Sequence, residues 1–470
     1  MELTDFGLIG LGVMGSALSR NVESRGYKVS VYNRNYKKTE AFLKEYAHEQ
    51  FVGAKDYKTF VRSIARPRKI MIMVKAGAPV DAVITDLVPH LQKGDIIIDG
   101  GNSHYTDTDR RVAALKEKGL LFLGCGVSGG EEGALRGPSL MPGGSKLAYK
   151  SMKKIFTAIA AADFSTGKCV SYIGDGGAGH YVKMVHNGIE YGVMQLLAEA
   201  YDMYTHIYKL KAPHIGEIFS QFQKGKLRSF LLQISIDVLL KKDEFTKKPL
   251  IDNILDKAAQ KGTGKWTSTD TLSRGLPLPT ITEAVFARYA SGEKDRRVVL
   301  STLYKKQQNA PLMPLEEFTD FMADALYAAI VSTYIQGYDL IARTSKEEKW
   351  NVNLSEVSRI WQGGCIIRAK LLQVFFDMYK GSSKKLVHPF AAPSIQRIMK
   401  KNTLALRQIA AFASEAGIPA AAFSTSLSYF DAMTRKRLPA NFIQGLRDYF
   451  GAHTYERIDK KGSFHSDWTT

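Results

Sequence analysis

The sequence predicts an α/β N-terminal domain with a mostly parallel sheet, followed by a large all-α domain and a short C-terminal tail. In residues 1–177, short apolar runs alternate with helical segments, which is typical of parallel strands joined by crossover helices. In residues 178–435, long helical periods dominate and alternating strands are few. Residues 436–470 contain one short helical segment, near Asn441 to Tyr449, and too little apolar content for a core. We therefore predict three segments with these bounds.

Length and cysteine content limit the class of protein. At 470 residues the chain is too long for one ordinary hydrophobic core. Its three cysteines are far apart and lack CxxC spacing, which argues against a disulfide framework or a zinc site and favours a reducing compartment. The sequence shows no secretory signal and no apolar window long enough to span a bilayer. We therefore expect a cytoplasmic protein that does not bind membranes.

The formal net charge is +19, and the lysines and arginines that cause it are spread along the whole chain. Lys-Lys pairs recur without an interleaved aromatic platform or a basic tail. This pattern is typical of a solvated basic surface that attracts anionic small molecules. Non-specific contact with nucleic acid is the alternative interpretation, and no specific nucleic-acid site is predicted.

A glycine fingerprint follows the first predicted strand, Phe6 to Ile9, and precedes a helix to about Arg25. GxGxxG between a strand and a helix is typical of a Rossmann-type dinucleotide-binding domain. The first glycine permits a tight turn, the second lets the backbone approach a pyrophosphate, and the third lets the helix pack on the sheet. The free N–H groups of the helix start then face the phosphates. The fingerprint residues are Gly10, Leu11, Gly12, Val13, Met14 and Gly15.

The end of the second strand, Lys28 to Tyr32, indicates which dinucleotide binds. A site for NAD would place an Asp or Glu there to hold the ribose 2′-hydroxyl. This chain instead has Asn33, Arg34 and Asn35, and a guanidinium suits a 2′-phosphate. We therefore predict NADP as the cofactor. The predicted cofactor site also includes Val74, Lys75 and Ala76 after the third predicted strand, together with Asn102.

The alternation continues to about residue 173. The further predicted strands are Lys69 to Val74, Asp95 to Asp99, Leu120 to Leu123 and Val170 to Ile173, and the helices are Pro79 to Leu91, Thr108 to Lys118 and Lys146 to Ile159. Glycine-rich segments at 100–103 and 126–133 carry Asn102 and Ser128 where open α/β sheets bind ligands. Simple turns would also explain these residues. The glycine run at 174–179 predicts a hinge between domains.

One predicted helix beyond the hinge carries a polar row on an otherwise apolar surface. Lys183, His186, Asn187, Glu190 and Tyr191 are spaced to share one helix face. Burying a polar group without a partner costs roughly 1–3 kcal/mol, so polar groups should lie against the row. Two interpretations remain open from the spacing: an internal ion pair between Lys183 and Glu190, or a catalytic row.

These segments together resemble the 6-phosphogluconate dehydrogenase family of the β-hydroxyacid dehydrogenase superfamily, over nearly the whole chain. The resemblance rests on segments 10–15, 33–34, 99–111, 126–144, 183–191, 261–266 and 447–455. It implies oxidative decarboxylation of 6-phosphogluconate to ribulose 5-phosphate and CO2 with NADP, without a metal, in the oxidative pentose phosphate pathway. Two residues depart from the family pattern: Gly12 stands where alanine is frequent, and Asn35 where threonine is frequent.

This chemistry requires one base that returns its proton and one separate acid. A buried, neutral Lys183 can be the base, and a protonated Glu190 can protonate the enediol at C1. The resemblance implies that the carboxylate and hydroxyls contact Asn102, Ser128, Gly129, Gly130, His186 and Asn187. It implies that the phosphate end contacts Tyr191, Lys261, Thr263, Arg288, Arg447 and His453, and that a homodimer exchanges its tails.

Two other functions were weighed against this one. The first is a related dehydrogenase acting on an unphosphorylated acid, in which Lys261, Arg288 and Arg447 would be uncompensated. The second is a catalytically silent NADPH sensor or a basic nucleic-acid-binding module. The presence of both Lys183 and Glu190 argues against a silent protein.

Overall fold

The computed structural model describes residues 2–47, 50–304, 313–382 and 386–469. The strands are β1 (Phe6–Ile9), β2 (Val29–Tyr32), β3 (Phe51–Gly53), β4 (Lys69–Ile72), β5 (Ile96–Asp99), β6 (Leu121–Ser128), β7 (Ser139–Gly144), β8 (Tyr455–Glu456) and β9 (Ser463–Phe464). The helices of the N-terminal part are α1 (Val13–Glu23), α2 (Tyr36–Glu45), α3 (Tyr57–Arg62), α4 (Ala78–Leu87), α5 (Tyr105–Glu117), α6 (Gly130–Arg136) and α7 (Lys146–Ile159).

The remaining helices follow without another strand until the tail, within the described ranges. They are α8 (Ala178–His206), α9 (Ala212–Lys224), α10 (Phe230–Leu240), α11 (Thr263–Ser273), α12 (Pro279–Gly292), α13 (Lys294–Leu303), α14 (Leu315–Glu347), α15 (Leu354–Ile360), α16 (Leu371–Ser382), α17 (Pro393–Glu415), α18 (Ala421–Thr434) and α19 (Ala440–Gly451). A predicted helix break at 310–314 falls largely outside the described residues. None of the described helices is both long and apolar enough to cross a membrane.

The N-terminal sheet has the order β3-β2-β1-β4-β5-β6-β7 among the described strands. All neighbouring strands are parallel except β6 and β7. The chain reverses its direction of growth between β1 and β4, so the loops after these two strands lie side by side. Ligands bind at such a switch point in open α/β sheets, which places the glycine fingerprint where a dinucleotide is expected. The predicted Rossmann-type domain with a mostly parallel sheet is confirmed.

The sheet differs from the prediction at its last strands. Strand β6 continues to Ser128, and β7 pairs with it antiparallel, although Pro142 and two glycines make β7 resemble a turn. The predicted strand at Val170 to Ile173 is wrong, because Val170 forms only an isolated bridge with Leu140. Glycine is required here because helix α8 packs against these strands: a Cβ on Gly143 would overlap the backbone of Gly179.

Helices α8 and α14 form the centre of the helical domain and are buried along most of their length. The core around them is one continuous apolar cluster that also contains the side chains of α9, α10 and α16 to α18. The predicted all-α domain is therefore confirmed. Because α8 is central, a polar side chain on it is buried and costs free energy unless it has a hydrogen-bond partner.

A polar cluster joins the two domains beside the loop that follows β5. Asp270 accepts hydrogen bonds from the hydroxyls of Tyr105, at 2.8 Å, and Tyr181, at 2.6 Å. Arg274 donates to Asp270 through Nε at 3.1 Å and to the Tyr105 hydroxyl through NH2 at 3.1 Å. Burial raises the pKa of Tyr105 to about 12, so its hydroxyl stays a donor. These contacts fix the start of α5 against α8 and α11.

The tail forms helix α19 and a two-stranded hairpin of β8 and β9. The helix was predicted and the hairpin was not. Asp448 is fully buried and accepts hydrogen bonds from Thr454 N at 2.9 Å and Trp468 Nε1 at 2.8 Å, which holds the two parts together. The tail nevertheless exposes large apolar side chains, including Phe442 at 68% and Phe450 at 71%.

Candidate active site

The polar row on α8 is buried and its lysine has a partner within the same helix. Lys183 is 6% exposed, and its Nζ donates to Asn187 Oδ1 at 2.8 Å. His186 Nδ1 lies 3.4 Å from the same Nζ and 3.9 Å from Glu190 Oε2. Among the described residues no ion pair joins Lys183 to Glu190. The interpretation of the row as a structural Lys183–Glu190 pair is therefore wrong.

The polar groups expected against the row come from two other elements. Ser128, at the end of β6, places its Oγ 3.2 Å from His186 Nε2. Thr263, at the start of α11, accepts a hydrogen bond from Asn187 Nδ2 at 3.1 Å. The row is thus held between the sheet domain and a helix of the second domain. This position gives the row access to ligands bound at the edge of the sheet.

Burial shifts the pKa values of the row in opposite directions. It lowers the pKa of the Lys183 ammonium, opposed by the negative charge of Glu190. It raises the pKa of the Glu190 carboxyl, opposed by the charges of Lys183 and Arg288. Burial, and next the Lys183 charge, holds the pKa of His186 well below its usual range. The shifts favour a neutral amine beside a protonated carboxylic acid, which is an acid–base pair of the required kind.

Strand β6 approaches Lys183 closely because Gly126 has no side chain. A Cβ on Gly126 would overlap Cβ of Lys183. Gly129 and Gly130 then turn into α6 with φ of 125° and 65°, which strongly favour glycine. Their backbone and the Ser128 side chain form a loop next to the row. The structure therefore brings Ser128, which Gly129 and Gly130 follow in the chain, into contact with His186.

A second cluster surrounds Tyr191. The Arg288 guanidinium lies over the Tyr191 ring, 3.6 Å from its centroid, and donates to the Ala259 carbonyl at 3.1 Å. Gly264 packs so tightly on this ring that a Cβ would overlap it. Lys261 lies exposed just before α11. Two cations and the Thr263 hydroxyl thus lie near the C-terminal end of the polar row, a suitable set for a phosphate.

The glycine fingerprint has the geometry that a dinucleotide requires. Gly10 has φ of 101°, and a Cβ on Gly15 would overlap the Gly10 carbonyl oxygen, so helix and strand pack in direct contact. A Cβ on Gly12, in contrast, would meet no atom of the described residues within 4 Å, which leaves room for a ligand. Asn33 Oδ1 accepts a hydrogen bond from Leu11 N at 3.1 Å and ties the loop to the end of β2. Arg34 is exposed beside it.

The loop after β4 contains Val74, Lys75 and Ala76, and the loop after β5 contains Asn102. Both loops are held by one buried arginine that the sequence analysis did not single out. Arg111, 2% exposed, donates to Asp99 Oδ2 at 3.1 Å, to Asp81 Oδ1 at 2.8 Å and to the Gly77 carbonyl at 3.1 Å. Asp99 also accepts from Gly101 N at 3.0 Å and Ser103 Oγ at 2.6 Å. The sequence signal for this cluster is Asp99, a carboxylate at the end of an apolar strand.

Asn102 lies close to the row. It lines a small recess together with Ser103, Lys183 and Thr263. The carboxyl end of β5 therefore meets α8 and α11 at the same place, and one residue can contact both a cofactor and a substrate there.

Arg447 and His453 lie apart from the other predicted site residues. Arg447 is exposed and donates to Gln444 in its own helix at 3.0 Å. His453 is exposed and its ring contacts Phe450. Within the described ranges, no hydrogen bond, ion pair or ring contact connects either residue to α8 or α11.

Two family models match the chain. One, described as the NAD binding domain of 6-phosphogluconate dehydrogenase, matches residues 5–174, and the other, described as the 6-phosphogluconate dehydrogenase C-terminal domain, matches residues 179–468. The chain is 48% identical over 469 residues to the NADP(+)-dependent, decarboxylating 6-phosphogluconate dehydrogenase of Bacillus subtilis. It is 47% identical over 468 residues to the decarboxylating 6-phosphogluconate dehydrogenase of Escherichia coli, and both alignments cover 100% of both chains.

A solved structure is similar over the same length. The 6-phosphogluconate dehydrogenase of Plasmodium falciparum, described in its apo form and in complexes with its cofactor NADP+ and its substrate 6-phosphogluconate, has a TM-score of 0.95 and 43% sequence identity. The match covers 99% of this chain and 100% of that chain.

Proposed function

The chain belongs to the 6-phosphogluconate dehydrogenase family, and we propose that it oxidises and decarboxylates 6-phosphogluconate to ribulose 5-phosphate and CO2 with NADP. This reaction is part of the oxidative pentose phosphate pathway. The observation that carries the proposal is the buried row on α8, in which Lys183 and Glu190 have pKa values shifted toward the neutral amine and the neutral acid.

Oxidation requires a base at the C3 hydroxyl of the substrate. Neutral Lys183 takes this proton as the C3–H bond breaks, and NADP, when bound, accepts the hydride from C3. Asn187 Oδ1, 2.8 Å from Nζ, orients the amine toward the substrate. The product of this step is a 3-keto acid, and Lys183 has become an ammonium.

Decarboxylation uses the proton that Lys183 has just gained. As the bond between the carboxylate carbon C1 and C2 breaks, its electron pair moves toward the C3 carbonyl oxygen. Lys183 protonates this oxygen. CO2 leaves and an enediol remains. Glu190, whose pKa is raised by burial, then donates a proton to the carbon that lost CO2, the C1 of ribulose 5-phosphate. Lys183, neutral again after it has protonated the carbonyl oxygen, takes back the proton of the enediol hydroxyl as the C2 ketone forms. Transfer of that proton from Lys183 to Glu190 restores the starting forms of both residues.

The remaining roles form part of the same proposal. Asn102, Ser128, Gly129, Gly130, His186 and Asn187 hold the carboxylate and hydroxyl groups; Tyr191, Lys261, Thr263 and Arg288 hold the phosphate. Arg34 binds the NADP 2′-phosphate, with Asn33 and Asn35 beside it, and the loop of Val74, Lys75 and Ala76 lines the cofactor site. These positions agree with the clusters of charge and open glycine backbone described above.

We also propose a homodimer in which each tail completes the neighbour's site with Arg447 and His453. Two observations support this proposal. The apolar side of α19 is exposed, and a partner would cover it. Within the described residues, neither Arg447 nor His453 contacts the polar row of its own chain through a hydrogen bond, ion pair or ring contact. A cytoplasmic location is part of this proposal. All three cysteines are buried and free, as expected in a reducing compartment.

The proposed function is tested by NADPH formation, followed by absorbance, with 6-phosphogluconate and NADP. Lys183→Met should abolish turnover because no base remains, and Glu190→Gln should lower ribulose 5-phosphate formation by about 10²-fold or more. Lys346→Met, which removes an exposed lysine at the end of α14, should keep wild-type activity. Undiminished activity in either row variant would exclude that residue from the mechanism.

A further inference from the structure

A second concave site lies at the junction of the two domains, lined by none of the residues assigned above to cofactor or substrate. This basic cleft has a volume of about 590 Å³. It is lined by Ala162, Phe164, Gln223, Arg228, Ser229, Phe230, Gln233, Gln362, Arg368, Ala369 and Lys370. Its size is that of a site for a small organic ligand.

Backbone pairing brings the three cations of the basic cleft together. Ser229 and Ala369 form an antiparallel bridge, flanked by hydrogen bonds from Phe230 N to Arg368 O and from Lys370 N to Arg228 O, both 2.9 Å. The cations Arg228 and Lys370 are thereby joined through their backbones, and both are exposed. Their positions follow from regular pairing, so the charges are close together in the folded chain.

Arg368 is the least exposed of the three cations. Its guanidinium lies over the Phe230 ring, 3.6 Å from the centroid, and NH1 donates to the Cys365 carbonyl at 2.8 Å. Stacking and the carbonyl contact fix the plane of the guanidinium, which reduces the entropy lost when a ligand binds. Burial lowers the pKa of Arg368, which indicates that its charge is not fully compensated.

The charged side chains that line the cleft are all positive. Its lining residues include three cations and no carboxylate. In the described part of the chain, none of the three cations forms an ion pair with Asp or Glu. Two carboxylates next to the lining have other partners: Asp163 pairs with Arg359 at 3.0 Å, and Asp237 accepts a hydrogen bond from the lining residue Gln233 at 3.2 Å. A half-buried guanidinium without a counter-charge favours binding of an anion.

We propose that the basic cleft binds a phosphorylated small molecule at a site separate from the active site. The planar fork of Arg368 fits two oxygens of one phosphate, and Arg228 and Lys370 add point charges for a second phosphate. Phe164, 51% exposed at the rim, offers an apolar face to the rest of the molecule. This proposal concerns binding in addition to the dehydrogenase reaction proposed above.

The test is calorimetric titration of the full-length protein with inorganic pyrophosphate, in the presence of saturating NADPH and 6-phosphogluconate. These two ligands occupy the active site without turnover, so further binding reports on another site. We expect one additional pyrophosphate per chain. The variant Arg228→Met with Lys370→Met should weaken it by about tenfold or more, because two charge-assisted contacts are lost.

The matched control is Lys224→Met, which removes an exposed lysine next to Gln223 that does not line the basic cleft. Its pyrophosphate affinity should stay within about twofold of wild type if the cleft, and not the general basic surface, binds the anion. The dehydrogenase activity of all variants verifies folding and reports separately on the proposed function. Absence of the additional site in the wild type, equal weakening by Lys224→Met, or tighter binding of citrate than of pyrophosphate would overturn the proposal.

Discussion

At the residue scale, cofactor choice depends on Arg34 at the carboxyl end of β2. Its side chain is exposed, and the neighbouring Asn33 is engaged with Leu11 N of the glycine loop. Arg34→Asp should reduce kcat/KM with NADP by about one to two decades, because a charge-assisted contact of roughly 1.5–3 kcal/mol is lost and the new carboxylate repels the phosphate. Use of NAD should fall much less. Kinetics with both cofactors provide the measurement.

Lys44→Asp is the matched control for this variant, since it reverses an exposed charge in the last turn of α2, away from the loop. It should leave the ratio of NADP to NAD activity unchanged. Equal losses with both cofactors in Arg34→Asp would show that this arginine does not recognise the 2′-phosphate.

The same scale shows what a single sequence reveals about a site. Helical spacing was sufficient to place Lys183, Asn187 and Glu190 on one face and to require polar partners for them. The identity of those partners was not predictable, because only folding brings them near. Ser128 is 58 positions from His186 along the chain, and Thr263 is 76 positions from Asn187. Arg111 was missed for a similar reason, since its partners lie on helix α4, at the end of strand β5 and in the loop before α4.

At the element scale, close backbone packing determines which glycines matter. Strands β6 and β7 contain glycines that resemble turn signals, yet they are strands because α8 packs directly against them, as Gly126 and Gly143 demonstrate. Local propensity cannot distinguish a glycine that turns the chain from one that admits a neighbouring backbone. Strands β1, β2, β4 and β5 were predictable because parallel strands buried on both faces form continuous apolar runs, whereas β3, which is short and only half-buried, was not predicted.

Helix α1 offers a direct test of this packing. Gly15→Ala should destabilise the protein by about 1–3 kcal/mol or more and lower NADP affinity, because its Cβ would overlap the Gly10 carbonyl and displace the helix from β1. Gly12→Ala should keep the wild-type melting temperature, because its Cβ enters open space. Thermal denaturation and NADP titration measure both effects. A Gly15→Ala protein as stable as Gly12→Ala would contradict the direct contact of helix and strand.

The N-cap residue of helix α18 is Ala420, which has no side chain that could cap the helix. A side chain from α8 caps it instead. Glu199 is 2% exposed and accepts hydrogen bonds from Ala422 N at 2.8 Å and Phe423 N at 3.1 Å. Burial raises the pKa of this carboxyl from 4.5 to about 7. The packing of α8 against α18 therefore depends on the protonation of one carboxyl group.

The sign of the pH dependence follows from the raised pKa of Glu199. The folded state holds the proton more tightly than the unfolded state, so the stabilisation is complete below about pH 4.5 and is lost as the pH rises through about 7. The unfolding free energy of the wild type relative to Glu199→Gln should therefore fall by up to roughly 3 kcal/mol between these values. Urea denaturation at several pH values measures it.

Glu217→Gln is the control for Glu199→Gln, because Glu217 is exposed on α9. Its stability relative to the wild type should not change with pH. A difference between wild type and Glu199→Gln that stays constant from about pH 5 to about pH 8 would show that Glu199 does not titrate in this range.

At the scale of the whole molecule, the order of the domains was predictable from the change in periodicity, and the side-chain contacts between them were not. The Asp270 cluster joins residues 165 positions apart, Tyr105 and Asp270, and no local pattern signals such a contact. The contacts of the tail are equally hard to predict from local sequence. It keeps its own small cluster around Asp448 while α19 exposes Phe442, Leu446 and Phe450. Apolar area of this kind on a helix marks a surface for another chain.

The proposed exchange of tails can be tested by combining two inactive variants. Lys183→Ala removes the base from α8, and Arg447→Ala removes a phosphate ligand from the tail. In a mixed dimer with exchanged tails, one site carries both defects and the other carries neither, because twofold symmetry makes the exchange mutual. Random association of equal amounts makes about half the dimers mixed, each with one intact site of two, so about a quarter of wild-type activity should return.

If Arg447 instead served its own chain, every site in a mixed dimer would still contain one defect, and mixing would restore nothing. The two variants would be co-expressed with different affinity tags, and mixed dimers isolated by sequential purification would be assayed with 6-phosphogluconate and NADP. In that purified fraction each molecule has one intact site, so the expected activity rises to about half that of the wild type. Mixed dimers as inactive as the parent variants would show that the tail completes its own site, and the exposed apolar side of α19 would then require a different partner surface.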